Sequence, residues 1–178
     1  MAFFYARARG TARRSGDRWT LGAAAPPEDL AVLLRLARGR RRIAELGTGT
    51  AWTSIALALP DPRRRVVTFD TYVRPQRDRY LALVPPDVRE RIDLITDAGD
   101  EGAPGRGPVD LLFIDSSHEH QGTIDDFRAW RRELAPGAVV AFDDFGHPDF
   151  PGVAEAVADL GLEGEDRGGL FVWQAPGA

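Results

Sequence analysis

Five short apolar runs recur along the chain: Ile43 to Leu46, Val66 to Phe69, Ile92 to Ile95, Val109 to Ile114 and Ala138 to Phe142. Their starts lie roughly 20–30 residues apart, the length that a helical crossover between parallel strands requires. Stretches of helical periodicity fill the intervals, at Trp52 to Leu59, Gln76 to Val84, Thr123 to Leu134 and Val153 to Leu160. In the third of these Ile124, Phe127, Trp130 and Leu134 recur at helical spacing. Ahead of the first run, Pro26-Pro27-Glu28-Asp29 opens a further helix, which Gly39 closes. At the other end, Gly161 to Asp166 and Leu170 to Trp173 flank Arg167-Gly168-Gly169 as a closing hairpin. The pattern predicts a doubly wound α/β fold, with a mostly parallel seven-stranded sheet, an antiparallel C-terminal hairpin and helices on both faces.

A chain of 178 residues suits one such domain. The expected division is a basic N-terminal arm over residues 1–26 and a single domain over 27–178, because residues 1–42 carry ten arginines against only Asp17, Glu28 and Asp29. Nucleic-acid contact and an organelle-targeting peptide are both open readings of Arg7, Arg9, Arg13, Arg14 and Arg18. A solvated arm or subunit contact is the simpler one, and nucleic acid is not the expected partner. Cysteine is absent, which excludes disulfides, a cysteine nucleophile, thiolate-bound zinc and iron–sulfur clusters. Every basic residue is arginine, so neither a Schiff-base lysine nor a Walker-type phosphate lysine exists. No run approaches the roughly 18 apolar residues of a membrane span, and no secretory apolar core opens the chain. The expected setting is therefore cytoplasmic, with no membrane partner.

In a doubly wound sheet, ligands bind beyond the carboxyl ends of the strands. Here those ends are acidic: Glu45 in the first, Asp70 after the second, Asp97 after the third, Asp115 after the fourth and Asp143-Asp144 after the fifth. Helix capping accounts for one or two such carboxylates, whereas five strand ends out of five point to a cationic ligand, a metal or both. The first strand runs into Gly47-Thr48-Gly49-Thr50, a turn that lets backbone approach a ligand closely. A dinucleotide fingerprint would place a third glycine where Trp52 stands, which argues against a nicotinamide cofactor.

Residues 42–174, above all IAELGTGTAWTSIALA and LLFIDSSHEHQGTIDDFRAWRRELAPGAVVAFDDFGHPDFPGV, resemble the class I S-adenosylmethionine-dependent methyltransferases, whose sheet is Rossmann-like. The second stretch is similar to small-molecule O-methyltransferases of bacterial natural-product pathways. The resemblance implies that Glu45, Gly47, Thr48, Gly49 and Thr53 line the methionine end of the cofactor, Asp70 the ribose, and Asp97 with Ala98 the adenine. A sulfonium cation suits a carboxylate-rich pocket, and amides at Thr50 to Trp52 suit its carboxylate.

A further resemblance, to the metal-dependent O-methyltransferases, implies that Asp115, Asp143 and Asp144 hold Mg²⁺, for which hard carboxylate oxygens are the fitting donors. Asp143-Asp144 also reads as a simple turn into Gly146-His147-Pro148. His118 stands three residues beyond Asp115, where those enzymes carry a lysine base; with an ordinary pKa of about 6.5 it would be largely neutral and able to accept a proton. A backbone-bonded loop histidine is its other reading. His120 and His147 are weaker candidates, Asp125-Asp126 reads as an acidic pair in a helix's first turn, and the four tryptophans read as packing residues. The resulting expectation is methyl transfer to a hydroxyl of a small molecule, such as a sugar diol or catechol-like ring. The alternatives are a cofactor-binding scaffold or partner subunit without that activity, or a non-methylating enzyme on the same fold. Little material for a substrate lid precedes the core, so a homo-oligomer that supplies one is expected.

Overall fold

The computed structural model describes residues 2–102 and 107–177, so Met1 and Ala178, the outer bounds of the two expected units, lie outside the described residues. Seven strands form one sheet: β1 (Arg42–Leu46), β2 (Arg65–Phe69), β3 (Ile92–Ile95), β4 (Val109–Ile114), β5 (Leu134–Phe142), β6 (Glu165–Asp166) and β7 (Phe171–Gln174). Their spatial order is β3-β2-β1-β4-β5-β7-β6, parallel from β3 to β5 and antiparallel at β7 and β6. The order reverses between β1 and β4, which pair directly. The helices are α1 (Ala2–Ser15), α2 (Arg18–Ala23), α3 (Pro27–Leu36), α4 (Trp52–Ala58), α5 (Arg77–Leu81), α6 (Pro86–Arg89), α7 (His120–Trp130) and α8 (Pro151–Asp159).

Strand alternation explains why the central runs are apolar throughout. On β4, Leu111 and Phe113 join one core cluster with Ile55 and Leu57 of α4, while Leu112 and Ile114 join another with Phe127 and Trp130 of α7. Both faces are covered, so a polar residue there must find its hydrogen-bond partners inside the protein. Truncating a side chain buried as fully as Trp130 costs about 3–5 kcal/mol.

Several boundaries depart from the periodicity. The helix expected over Gln76 to Val84 shortens to α5, because Pro85-Pro86 interrupts the chain and starts the separate turn of α6. The helix expected from Thr123 begins at His120, where Thr123 Oγ1 donates back to the Ser117 and Glu119 carbonyls (3.1 and 3.0 Å). Strand β5 starts at Leu134 rather than Ala138, since Leu134 pairs with Val109 across an irregularity in the ladder.

The basic N-terminal stretch folds as α1 and α2. Phe4, Ala8 and Ala12, four residues apart, are buried in the same cluster as Trp52 and Tyr80, and the arginines lie on the remaining faces. Asp17 fixes the junction. It accepts from Thr20 N–H (3.1 Å), Thr20 Oγ1 (2.7 Å) and the Tyr80 hydroxyl (2.6 Å). Burial alone would raise its carboxyl, but the bonds from Tyr80 and Thr20 outweigh it and hold the pKa below its ordinary value.

Two buried arginines, Arg64 and Arg91, satisfy carbonyls that helix ends leave unpaired. Arg64 donates to the carbonyls of Ala37 at the end of α3, Leu57 in the last turn of α4, and Arg40; Arg91 donates to those of Ala58, Asp61 and Asp87. Replacing Arg64 by Met keeps the apolar stem but strips the carbonyls of Leu57 and Arg40 of their donor and leaves that of Ala37 with the Arg40 N–H alone. The Arg64→Met variant is expected to lose on the order of 3 kcal/mol in denaturant unfolding. A loss below about 1 kcal/mol would show that water replaces the guanidinium freely.

Candidate active site

The parallel ladders continue one residue past the strands. Asp115 N–H donates to the Leu46 carbonyl (2.8 Å) and Asp143 N–H to the Ile114 carbonyl (2.9 Å), so the ends of β1, β4 and β5 emerge side by side. Gly47 has φ +102°, and a Cβ there would stand 1.9 Å from the Asp115 carbonyl oxygen. Only glycine lets the two chains pass this closely.

A cavity of about 750 Å³ opens over these ends. Gly47, Thr48, Gly49, Thr53 and Asp70 line it on one side, Ala98 lies at the end of β3, and Asp115, His118, Asp143 and Asp144 line it on the other. Asp70 ties the loop to the end of β2: Oδ2 accepts from Gly49 N–H and Oδ1 from Tyr72 N–H, each at 2.8 Å. Each oxygen retains a lone pair for a ligand hydroxyl.

Two expected cofactor contacts stand elsewhere. Glu45 does not line the cavity; it is sealed beneath the loop, accepting through Oε2 from Ser54 Oγ and Thr68 Oγ1 (2.6 Å). Thr68 Oγ1 also meets Thr48 Oγ1 (2.7 Å). Burial raises the Glu45 pKa to about 8 against these bonds, and the charges of Asp115 and Asp70 add to the rise. Asp97 is exposed and off the cavity wall, because its carboxylate accepts from Gly99 N–H (2.9 Å) and closes its own turn.

The acidic residues after β4 and β5 do converge. Consecutive strand residues point to opposite faces, yet both Asp143 and Asp144 reach the cavity, because Asp144 takes the left-handed conformation (φ +55°) that Asp tolerates better than most residues. Asp115 and Asp143 share a hydrogen bond, and burial raises the pKa of both. His118 Nε2 lies 2.9 Å from Asp144 Oδ2 and 3.6 Å from Asp115 Oδ1, and its ring stacks on Phe150 with centroids 4.4 Å apart. Asp115 and Asp144 hold its proton, pushing the pKa up to about 10. That direction runs against the neutral imidazole expected of His118. The donors are hard oxygens, as a divalent cation requires, but among the described residues no group of three or more His, Asp or Glu side chains is set out as a metal cage.

The other histidines part company. His120 pairs with Asp159 of α8 at 2.9 Å, away from the cavity, whereas His147 lines it and accepts from Asp149 N–H through Nδ1 (3.2 Å). Asp126 is a correction too. With α7 starting at His120 it lies mid-helix, buried, accepting from Ser116 Oγ and lining the cavity. Trp19 and Ala23 to Pro26 form a further wall, supplied by the N-terminal segment. The four-residue spacing of Phe4, Ala8 and Ala12 is the one sequence signal for that docking.

A family model described as a methyltransferase domain matches residues 44–145. The cofactor-bound protein Rv0187 from MTB is similar in fold, with 20% identity, a TM-score of 0.71, and coverage of 94% of this chain and 91% of that one. TomG from Streptomyces achromogenes, an O-methyltransferase of tomaymycin synthesis solved with S-adenosylmethionine, is 23% identical, with a TM-score of 0.66 over 87% of this chain and 82% of that one. CalS11, a TDP-rhamnose 3'-O-methyltransferase of calicheamicin biosynthesis, is 20% identical, with a TM-score of 0.65 over 82% and 76% of the two chains. An uncharacterized protein of Acanthamoeba polyphaga mimivirus is 33% identical over 57 residues, 29% of this chain and 26% of that protein, so the match spans about a quarter of that relative.

Glu45 makes stability depend on pH. Between its unfolded pKa, 4.5, and its folded pKa, about 8, the unfolded chain gives up a proton that the folded one keeps. Stability therefore falls as pH rises through that window and levels off above it, by on the order of 4 kcal/mol. Glu45→Gln is expected to flatten this slope in urea unfolding run from pH 4 to pH 9, and identical slopes in the two proteins would rule the buried acid out.

Proposed function

The chain belongs to the methyltransferase domain family as an S-adenosylmethionine-dependent methyltransferase, and from that membership we propose that its acceptor is a hydroxyl oxygen of a small molecule such as a sugar diol or catechol-like compound. The observation that carries this reading is the single cavity in which the glycine turn and Asp70 face Asp115, His118, Asp143 and Asp144. The O-methyltransferases TomG and CalS11, which share the fold, support oxygen as the acceptor atom.

The backbone of Gly47 to Gly49, with Thr53, would hold the methionine part of the cofactor, Asp70 the ribose hydroxyls, and Ala98 would border the adenine. S-adenosylmethionine supplies an already activated methyl, so transfer requires only that a C–O bond form as the C–S bond breaks. Orientation then supplies most of the rate. The carboxylates on the wall attract the sulfonium electrostatically.

Asp115, Asp143 and Asp144 offer the hard oxygens on which a magnesium ion would have to gather, and such an ion would lower the pKa of an acceptor hydroxyl and offset the carboxylate charge. His118 takes up the acceptor's proton at Nε2, the ring atom that faces Asp144 and Asp115. It can do so only when the charge that keeps it protonated in the ligand-free protein is offset. Phe150 holds the ring in place by stacking, and Asp144 fixes its direction.

Calorimetry with S-adenosylmethionine and S-adenosylhomocysteine is expected to give micromolar affinities, and the absence of heat with both would sink the cofactor assignment. With an acceptor found by screening diols and catechols for methyl gain, Asp143→Asn and His118→Ala are each expected to lower kcat about 100-fold with S-adenosylhomocysteine affinity retained. A chelator should mimic Asp143→Asn. Unchanged turnover in both variants would remove the acidic cluster from the chemistry.

A further inference from the structure

The cavity has a conspicuous charge imbalance. Asp70, Asp115, Asp126, Asp143 and Asp144 all contribute to its wall, and Arg74 is the one arginine among the residues that line it. An anionic portion of a ligand would find a guanidinium only there.

Arg74 is also held as a recognition group would be. Its guanidinium carbon lies 3.8 Å from the centroid of the Trp19 ring and 4.8 Å from that of Tyr72. Trp19 in turn lies against the glycine turn, its ring 3.3 Å from where a Cβ on Gly49 would stand. The aromatic ring thus moors the cation to the loop. No carboxylate among the described residues comes within ion-pair distance of Arg74, although Asp70 is only four residues away; both Asp70 oxygens accept backbone amides instead. Arg74 Nε is buried without a hydrogen-bond partner. A guanidinium held through its faces keeps its edge free for two parallel hydrogen bonds, the geometry that suits a carboxylate or phosphate. Its contact with two rings limits the side-chain freedom lost on binding.

We propose that Arg74, clasped by Trp19 and Tyr72, is the anion-recognition point of this cavity, taking a carboxylate or phosphate oxygen pair of a bound ligand. The inference rests on the reading of the cavity as the cofactor and acceptor site. The anion has two possible sources with one chemistry, the amino-acid carboxylate of the cofactor or an acidic group of the acceptor.

Three probes separate them, titrated in the presence of a chelator into the wild type, Arg74→Gln and Arg74→Lys, with thermal unfolding to verify that the variants fold. S-adenosylhomocysteine carries the carboxylate, 5'-methylthioadenosine lacks it, and inorganic pyrophosphate stands for an acidic acceptor in both ligand-free and S-adenosylhomocysteine-loaded protein. If the cofactor supplies the anion, Arg74→Gln weakens S-adenosylhomocysteine at least about tenfold and leaves 5'-methylthioadenosine within about twofold. If the acceptor supplies it, the same loss falls on pyrophosphate alone. Arg74→Lys, which keeps the charge but not the planar fork, is expected to recover part of either loss. The proposal is overturned if S-adenosylhomocysteine binds the wild type and Arg74→Gln equally and pyrophosphate binding is absent or unaffected. Failure of the wild type to bind either adenosine ligand would instead count against the cofactor assignment, and the pyrophosphate arm would still decide the role of Arg74.

Discussion

Parallel pairing of β1 with β4 sets Leu46 opposite Ile114, and the Asp115 amide extends the ladder to the Leu46 carbonyl, so two chains leave the sheet in contact. Gly47 makes that contact possible, since a Cβ would collide with the Asp115 carbonyl oxygen. This crossing lies where the strand order reverses. The helices that follow β1 and β4 cover opposite faces and leave a crevice between them. The glycine turn, Asp70 and the acidic cluster all take their positions from it.

The crossing also creates an electrostatic problem. Carboxylates brought together and partly withdrawn from water raise one another's pKa, as at Asp115 and Asp143, and draw in whatever positive charge is at hand. The group nearest to them is the His118 ring, whose pKa Asp115 and Asp144 raise. Glu45, on the neighbouring strand β1, meets a different fate. It is sealed between Ser54 and Thr68, so it helps to hold the loop without touching the cavity.

The N-terminal helices complete the enclosure. Asp17 accepts hydrogen bonds from Thr20 and Tyr80, which fixes the α1–α2 junction against α5, and Trp19 follows two residues later over the glycine turn. A segment whose charge suggests a free arm is thereby anchored by three small or aromatic side chains, Phe4, Ala8 and Ala12. Arginine is compatible with both descriptions, because its charged head remains in water whether or not the helix beneath it is docked.

Much of the fold was legible because hydrophobic periodicity is a local property. The runs at Ile43, Val66, Ile92 and Val109 begin where the strands begin or one residue later, and the closing hairpin falls at Arg167 to Gly169. The acids of strands two, four and five were legible for the same reason, since each stands at the carboxyl end of a parallel strand. What sequence could not decide was direction and company. Asp97 turns into its own loop, Asp126 enters the cavity from mid-helix, and the His118 pKa rises because Asp115, after β4, and Asp144, turned back by its left-handed backbone after β5, both approach the ring. By itself the sequence determined the parallel sheet and the acidic character of its carboxyl edge, through short-range pattern. The tertiary structure alone decided which acids share a wall, which histidine meets two carboxylates and which segment closes the cavity, because burial and electrostatic coupling depend on distances between residues remote in the chain.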